Sequence, residues 1–323
     1  MGEDLLRKED IHDVIIIGGG PAGLTAGIYT ARARLSSLLV EKLALGGQAS
    51  ITDRIENYPG FIEGISGPEL AHSMEEQAKS FGMRIVSGEV ARIDGNDDSN
   101  IKKVFVNGEP EPYQSLSIII AAGNEQKKLG VPGEKEFTGK GVSYCATCDG
   151  AFFRDLAIAV VGGGDVAIQE ALFLTRFARK IYIIHRRDRP RATKILQERA
   201  LSNNKIEFVF NSVVDEIFGQ TTVEGLRVRD LNTGETKELQ VNGVFVFVGW
   251  SPSLSFVGNI VKRGEGGYII VDKEMRTSRE GIFACGDCCE KNLRQVVTAC
   301  GDGATAAFSA QHYVERIKGE EYV

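Results

Sequence analysis

The chain has 323 residues, 42% hydrophobic and 25% charged, with a formal net charge of -6; that length predicts about two domains, each able to bury its own core. The acidic balance argues against nucleic acid or an anionic membrane surface as a partner, and no apolar run approaches the roughly 20 residues that a membrane-spanning helix needs. The charged start, Met1 to Asp10, lacks the apolar core of a signal peptide, so a cytoplasmic protein is expected.

In chain order, Asp13 to Gly18 is a β-branched apolar run that breaks into glycine, as a buried parallel strand does. Gly18, Gly20 and Gly23 have the G-x-G-x-x-G spacing, and Pro21 and Ala22 open a helix expected to reach about Arg34. The first glycine permits a tight turn, the second lets backbone approach a pyrophosphate, and the third lets helix and strand pack closely. The helix N-terminus then faces the phosphates. A second strand, Ser37 to Val40, ends at Glu41, whose carboxylate suits the hydroxyls of an adenosine ribose.

From Leu45 to Phe61 the chain is irregular, with Gly46-Gly47-Gln48 and then Ile55 to Gly60 around Asn57. Loops of this kind on a rigid scaffold commonly line a site. A helix is expected from Pro68 to Gly82. Asn107-Gly108 carries a hairpin signal, and Ser117 to Gly123 reads as another buried strand ending in glycine.

Next comes Cys145-Ala-Thr-Cys148-Asp149-Gly150. Two cysteines at this spacing lie one helical turn apart, within reach of a disulfide or a metal, and thiols so placed ionise readily. The chain has six cysteines; a protein of this size does not need disulfides for stability, so a tight pair points to catalysis or metal binding.

The opening pattern then repeats. A strand from Leu156 to Val161 runs into Gly162, Gly164, Asp165, Val166 and Ala167, a G-x-G-x-x-A, with a helix expected over Ile168–Phe177. The following strand, Ile181 to Ile184, ends in His185-Arg186-Arg187-Asp188, with Arg189 and Arg191 close behind. Where the first fingerprint leads to Glu41, the second leads to arginines, whose guanidinium groups suit a 2′-phosphate; the second nucleotide is expected to be NADP(H). A hairpin at Leu226 to Gly234 and a strand from Val244 to Gly249 echo Val104 to Gly123.

The remainder supplies Gly281 to Asp287, then Arg294-Gln295-Val296, and a helix from about Gly303 to Lys318. It is too short for a third domain and is expected to complete the first. The fold class is therefore α/β: two Rossmann-like, three-layer ββα domains, the second inserted into the first, with residues 1–123 and 251–323 flanking 124–250.

The ordered motifs G-G-G-P-A-G, G-G-Q, E-N-Y-P-G, C-A-T-C-D-G, G-G-G-D, H-R-R-D, G-D and R-Q-V-V-T-A resemble the low-molecular-weight thioredoxin reductases over nearly the whole chain, from Asp13 to about Lys318. The resemblance implies FAD in the flanking domain and NADPH in the inserted one. It implies Gly286-Asp287 on the ribityl chain, Gly47, Gln48, Asn57, Arg294, Gln295 and Val296 about the flavin, and Gly123 at the edge of that site. It also implies that Cys148 faces the flavin, that Cys145 attacks the disulfide of thioredoxin, that Asp149 is a general acid, and that the protein is a homodimer. The chain departs from the family pattern at Val166, Gln169 and Pro190, which leaves the arginines intact.

The cysteine pair lies just upstream of the second fingerprint, on the NADPH side, while the flavin belongs to the other domain. Nicotinamide and disulfide must each approach the flavin, which predicts a rotation about the Gly123 and Gly249 regions. Two other readings compete. One is a dithiol oxidase or a reductase with another donor or acceptor. The other is a zinc-stabilised binding module using Cys285-Gly-Asp-Cys288 as a second pair, with Cys289 adjacent; the separation of the two pairs disfavours it. Cys285 and Cys300 otherwise read as small packed residues.

Overall fold

The computed structural model describes residues 11–95 and 100–321, so the charged segment Met1 to Asp10 lies outside the described residues. The chain forms two compact units, one of Met1–Glu125 with Ser251–Val323 and the other of Gln126–Trp250.

The first stretch gives β1 (Ile11–Ile17), α1 (Pro21–Arg32), β2 (Ser37–Glu41), α2 (Gly67–Ser80), β3 (Arg84–Ser87), β4 (Val90–Asp94), β5 (Lys102–Val106), β6 (Tyr113–Ile120) and the short β7 (Asn124–Gln126). The second unit holds β8 (Val142–Ser143), α3 (Ala146–Asp149), β9 (Ala157–Gly162), α4 (Asp165–Leu174), β10 (Lys180–Ile184), α5 (Lys194–Leu201), β11 (Ile206–Val209), β12 (Ser212–Gly219), β13 (Val223–Asp230), β14 (Thr236–Gln240) and β15 (Gly243–Phe247). After β16 (Trp250–Pro252), the chain ends with β17 (Ile282–Ala284) and α6 (Val296–Lys318).

In the first unit the sheet order is β3-β2-β1-β6-β5-β4. Strand β6 pairs antiparallel with β5 at Tyr113–Ser115 and parallel with β17 at Ile118–Ile120. The returning segment thus adds a strand to the first sheet. The β1 run is apolar on both sides because both faces are covered. Val14 and Ile16 pack under α1, α2 and α6. Ile15 and Ile17 pack against Ile93, Val104, Leu254 and Ile269 on the other face.

Helices α1 and α6 approach closely because both present small residues, among them Ala22 and Ala26 on one and Gly303 and Ala306 on the other. A Cβ at Gly303 would lie 2.2 Å from the Ala22 carbonyl oxygen. Helix α6 begins at Val296, a full turn and more before the expected Gly303. Gln295 and Thr298 form a reciprocal capping box there, which satisfies the N-terminal amides that an apolar pattern does not reveal. Gly319 ends it in a left-handed conformation, φ 71°.

The second unit repeats the plan with a parallel sheet, β11-β10-β9-β15-β8. Ile158, Val160, Ile181 and Ile183 pack against α4 and α5, while Ala159, Val161, Val244 and Val246 pack against β12 and β13. One difference from the first unit stands out. The antiparallel strands β12-β13-β14 form a separate sheet here. Strand β15 has only five residues, so it lacks the N-terminal half through which β6 joins β5. Helix α4 starts at Asp165, three residues before the expected Ile168, directly on the glycine turn.

Candidate active site

The first unit gathers its predicted residues at the carboxyl ends of β1, β2 and β6. Gly18 has φ 106°, and a Cβ there would lie 2.4 Å from the Ala121 carbonyl oxygen. At Gly23 a Cβ would lie 1.8 Å from the Gly18 oxygen, so strand and helix meet with no room for a side chain. Gly20 faces open space, with no protein atom within 4 Å of an added Cβ; that is the approach a pyrophosphate needs. Pro21 and Ala22 are the first two residues of α1.

Glu41, expected at a ribose, holds the glycine turn: its Oε2 accepts from Gly19 N–H at 2.6 Å and its Oε1 from Leu43 N–H at 2.9 Å. A cleft lined by Gly18, Glu41, Gly88, Val90, Ala122 and Phe256 opens beside it. Gly46 N–H donates to the Gly19 carbonyl at 2.8 Å, which lays the Gly47-Gln48 loop over the fingerprint. A Cβ at Gly47 would stand 3.3 Å from Gly20 Cα.

The returning segment completes this site. Gly286, φ 76°, sits against Ala22, where a Cβ would be 2.8 Å from the alanine methyl. Asp287 Oδ1 is buried with no hydrogen-bond partner. Burial is the main cause of a carboxyl value raised above the usual range, with Lys291 and Arg294 opposing it. A buried polar atom left unpaired in a native fold calls for a partner, and a bound ligand's hydroxyl would fit there. Arg294 Nη2 donates to the Cys289 carbonyl at 3.2 Å, and its guanidinium lies over the Tyr268 ring. Asn57 Nδ2 donates to Gln295 Oε1 at 2.9 Å, bringing together two residues far apart in sequence. Gly123, φ 63°, follows β6 in open space. These residues fit FAD.

Two residues of this site were missed. Asp302 Oδ2 accepts from Gly286 N–H at 3.1 Å and pairs with Lys291 Nζ at 2.5 Å. Nothing in the sequence pattern links position 302, a helix-interior position, to the Gly286 turn.

The second unit is built in the same way. Gly162, φ 150°, would put a Cβ 2.4 Å from the Phe247 oxygen, while Gly164 faces open space. Asp165 Oδ1 accepts from Thr193 N–H at 2.6 Å. Arg191 N–H donates to the Gly163 carbonyl at 2.6 Å, which draws the basic segment over the fingerprint. His185 is 6% exposed, and its ring lies where a Cβ on Gly163 would sit, 2.4 Å from Nδ1. Burial first, then Arg191 and Arg187, lowers the His185 value below its usual 6.5. Arg186, Arg187 and Arg191 are exposed beside it, and Val166 is partly exposed on the first turn of α4. An open glycine turn flanked by free guanidinium groups fits a dinucleotide bearing an added phosphate.

Cys145 and Cys148 form a disulfide with Cα atoms 5.4 Å apart. Cys145 caps α3, its Sγ accepting from Cys148 N–H at 3.2 Å and lying 3.4 Å from Thr147 Oγ1. Cys148 is exposed and Asp149 half-buried at the end of the turn. Cys285, Cys288 and Cys289 are free and buried, and Cys300 is free and half-buried. Among the described residues no group of histidine, cysteine and carboxylate side chains could hold a metal ion, and no helix is long and apolar enough to cross a membrane.

Comparison with known proteins agrees with this geometry. Residues 12–303 match the family of pyridine nucleotide-disulphide oxidoreductases. The chain is 50% identical over 315 residues to a thioredoxin reductase of Bacillus subtilis, covering 97% of this chain and 98% of that one. It is 47% identical to one of Peptoclostridium acidaminophilum, covering 95% and 98%. The crystal structure of Lactococcus lactis thioredoxin reductase superposes with a TM-score of 0.91 at 45% identity, covering 94% of this chain and 99% of that chain. That of T. acidophilum thioredoxin reductase gives 0.89 at 35% identity, covering 96% and 100%. The chain belongs to the pyridine nucleotide-disulphide oxidoreductases and, within them, to the thioredoxin reductases.

Proposed function

We propose that the protein is an NADPH-dependent thioredoxin-disulfide reductase, with FAD in the unit of Met1–Glu125 and Ser251–Val323 and NADPH in the unit of Gln126–Trp250. The observation that carries the reading is the Cys145–Cys148 disulfide standing immediately before the second dinucleotide fingerprint. When bound, the two cofactors supply hydride chemistry and deliver electrons in pairs.

The protein's own residues bind, orient and exchange. Asp287 takes a ribityl hydroxyl, Glu41 the adenosine ribose, and Asn57, Gln295 and Val296 border the flavin. Arg186, Arg187 and Arg191 hold the 2′-phosphate, with His185 buried behind them. Reduction of the disulfide leaves two sulfurs of different character. Cys145 Sγ keeps the Cys148 N–H, a donor that favours its thiolate. Cys145 attacks the disulfide of thioredoxin, and Cys148 resolves the mixed disulfide. Asp149 supplies a proton near the flavin.

Gly123, φ 63° with open space about it, and Gly249, φ 123° with only Lys127 Cδ 4.0 Å from an added Cβ, serve as the hinges of a rotation between the units. The buried free thiols suit a reducing, cytoplasmic setting, and the family resemblance supports a homodimer. Cys145→Ser and Cys148→Ser separate the two halves of the cycle. Each variant is expected to lose thioredoxin reduction while NADPH still bleaches the flavin. Thioredoxin turnover retained in either one contradicts the assignment.

A further inference from the structure

The chain upstream of Cys145 is tied down at three points. Glu134 is 3% exposed and uses both carboxylate oxygens. Oε1 accepts from Leu129 N–H at 2.7 Å and from the Tyr144 hydroxyl at 2.8 Å, and Oε2 accepts from Gly130 N–H at 2.7 Å. The Tyr144 carbonyl accepts from the Gln126 amide at 2.7 Å. Ser143 Oγ accepts from Cys145 N–H at 3.0 Å and lies 3.2 Å from the Cys145 carbonyl.

Only part of this is needed to hold the loop. Two backbone amides could be capped by a short, exposed side chain, as in an Asx turn. Instead the sequence sets a longer carboxylate in the interior, where it must be fully hydrogen-bonded to be tolerated. The third donor comes from the residue next to the redox cysteine. Burial, then the bond to Glu134, pushes Tyr144 up to about 12, so its hydroxyl remains a donor over the whole working range. Cys148, in contrast, is exposed on a single helical turn.

We propose that Tyr144 and Glu134 are positioning residues for the redox pair: their hydrogen bond, with Gln126 on the Tyr144 carbonyl, keeps Cys145 Sγ on the Cys148 N–H after the disulfide opens. The inference rests on the reading of Cys145–Cys148 as the redox centre. Opening the S–S bond takes up two electrons, supplied by NADPH through the flavin in the proposed cycle, and one proton. It leaves a thiol at Cys148 and a thiolate at Cys145, whose charge the Cys148 N–H stabilises. Holding that geometry makes Cys145 more acidic and the disulfide easier to reduce.

Tyr144→Phe in the full-length, FAD-loaded protein removes one hydroxyl and leaves both Glu134 oxygens with an amide donor. Two readouts follow, neither requiring thioredoxin. The first is the pH profile of iodoacetamide reaction at Cys145 in the reduced protein, read by mass spectrometry. The second is the disulfide potential against dithiothreitol buffers. The expected result is a roughly tenfold weaker thiol acidity, the effect of losing one well-placed hydrogen bond. The potential is expected to fall by the same tenfold, about 30 mV for a two-electron couple. Melting temperature should fall by only a few degrees, about the cost of one hydrogen bond, and FAD content should stay near wild type. Glu134→Gln, whose NH2 would face the Gly130 N–H while its oxygen still accepts from Tyr144, should lower the melting temperature with a smaller acidity shift than Tyr144→Phe. An unchanged alkylation profile and potential in Tyr144→Phe overturns the proposal. A wild-type protein that never reduces thioredoxin would overturn the functional reading instead, and the acidity shift would still decide the positioning one.

Discussion

Replacing Asp302 probes how the FAD site is held from a distance. Its carboxylate accepts the Gly286 N–H at 3.1 Å and pairs with Lys291, the two side chains being 20% and 16% exposed. Asp302→Ala therefore does two things. It orphans a buried amide, at a cost of about 1–2 kcal/mol. It also strands a largely buried ammonium group, costing about 1–2 kcal/mol once residual exposure is discounted. The sum, about 3 kcal/mol, corresponds to a drop of about 6–12 °C at roughly 2–4 °C per kcal/mol for a unit of this size. Asp302→Asn keeps an acceptor for Gly286 and loses only the charge, so about half the effect is expected. The turn carrying Asp287 loosens in both variants, and FAD should be lost on dilution in the same order. Thermal melting of the FAD-loaded protein and flavin absorbance after gel filtration measure the two quantities. An alanine variant melting within about 1 °C of wild type with full FAD content refutes the reasoning.

Arg186→Ala and Arg187→Ala should each raise the KM for NADPH by about tenfold or more, the worth of a charge-assisted phosphate contact. NADH kinetics should barely change, and an equal loss with both nucleotides contradicts the 2′-phosphate role. His185 is held below its usual value chiefly by burial, so the folded state keeps it neutral while the unfolded chain binds a proton below about pH 6.5. Its stability contribution is complete above that pH and is lost as pH falls toward the folded value. In the nucleotide-free protein, His185→Gln should flatten the decline in melting temperature between roughly pH 6.5 and 5, and parallel wild-type and variant curves would disprove it.

The parts of the fold that obey local rules were legible in the sequence. Both glycine fingerprints and the β-branched strands beside them follow from periodicity and turn chemistry. Their observed backbone carries the same logic, with Gly18 and Gly162 each pressed against a strand carbonyl. What escaped was long-range or polar. The start of α6 depends on a capping box between Gln295 and Thr298, with the two residue types in the reverse of the usual S/T-x-x-E/Q order. The separate β12-β13-β14 sheet depends on the short length of β15. Asp302, Lys291, Glu134 and Tyr144 act through hydrogen bonds to residues distant in sequence or to backbone, and such partners leave no periodic trace. Glu41 was legible as an acidic end to β2, but its grip on Gly19 required the folded turn.

The central claim is that electrons pass from NADPH through the flavin to Cys145–Cys148 and on to thioredoxin. The most direct measurement is an anaerobic titration of the flavin absorbance, with NADPH and NADH added separately and oxidised thioredoxin afterwards. NADPH should bleach the flavin at far lower concentration than NADH, and oxidised thioredoxin should restore the colour with release of two thiols per disulfide. A flavin that NADPH fails to bleach, or that stays bleached after thioredoxin is added, contradicts the account.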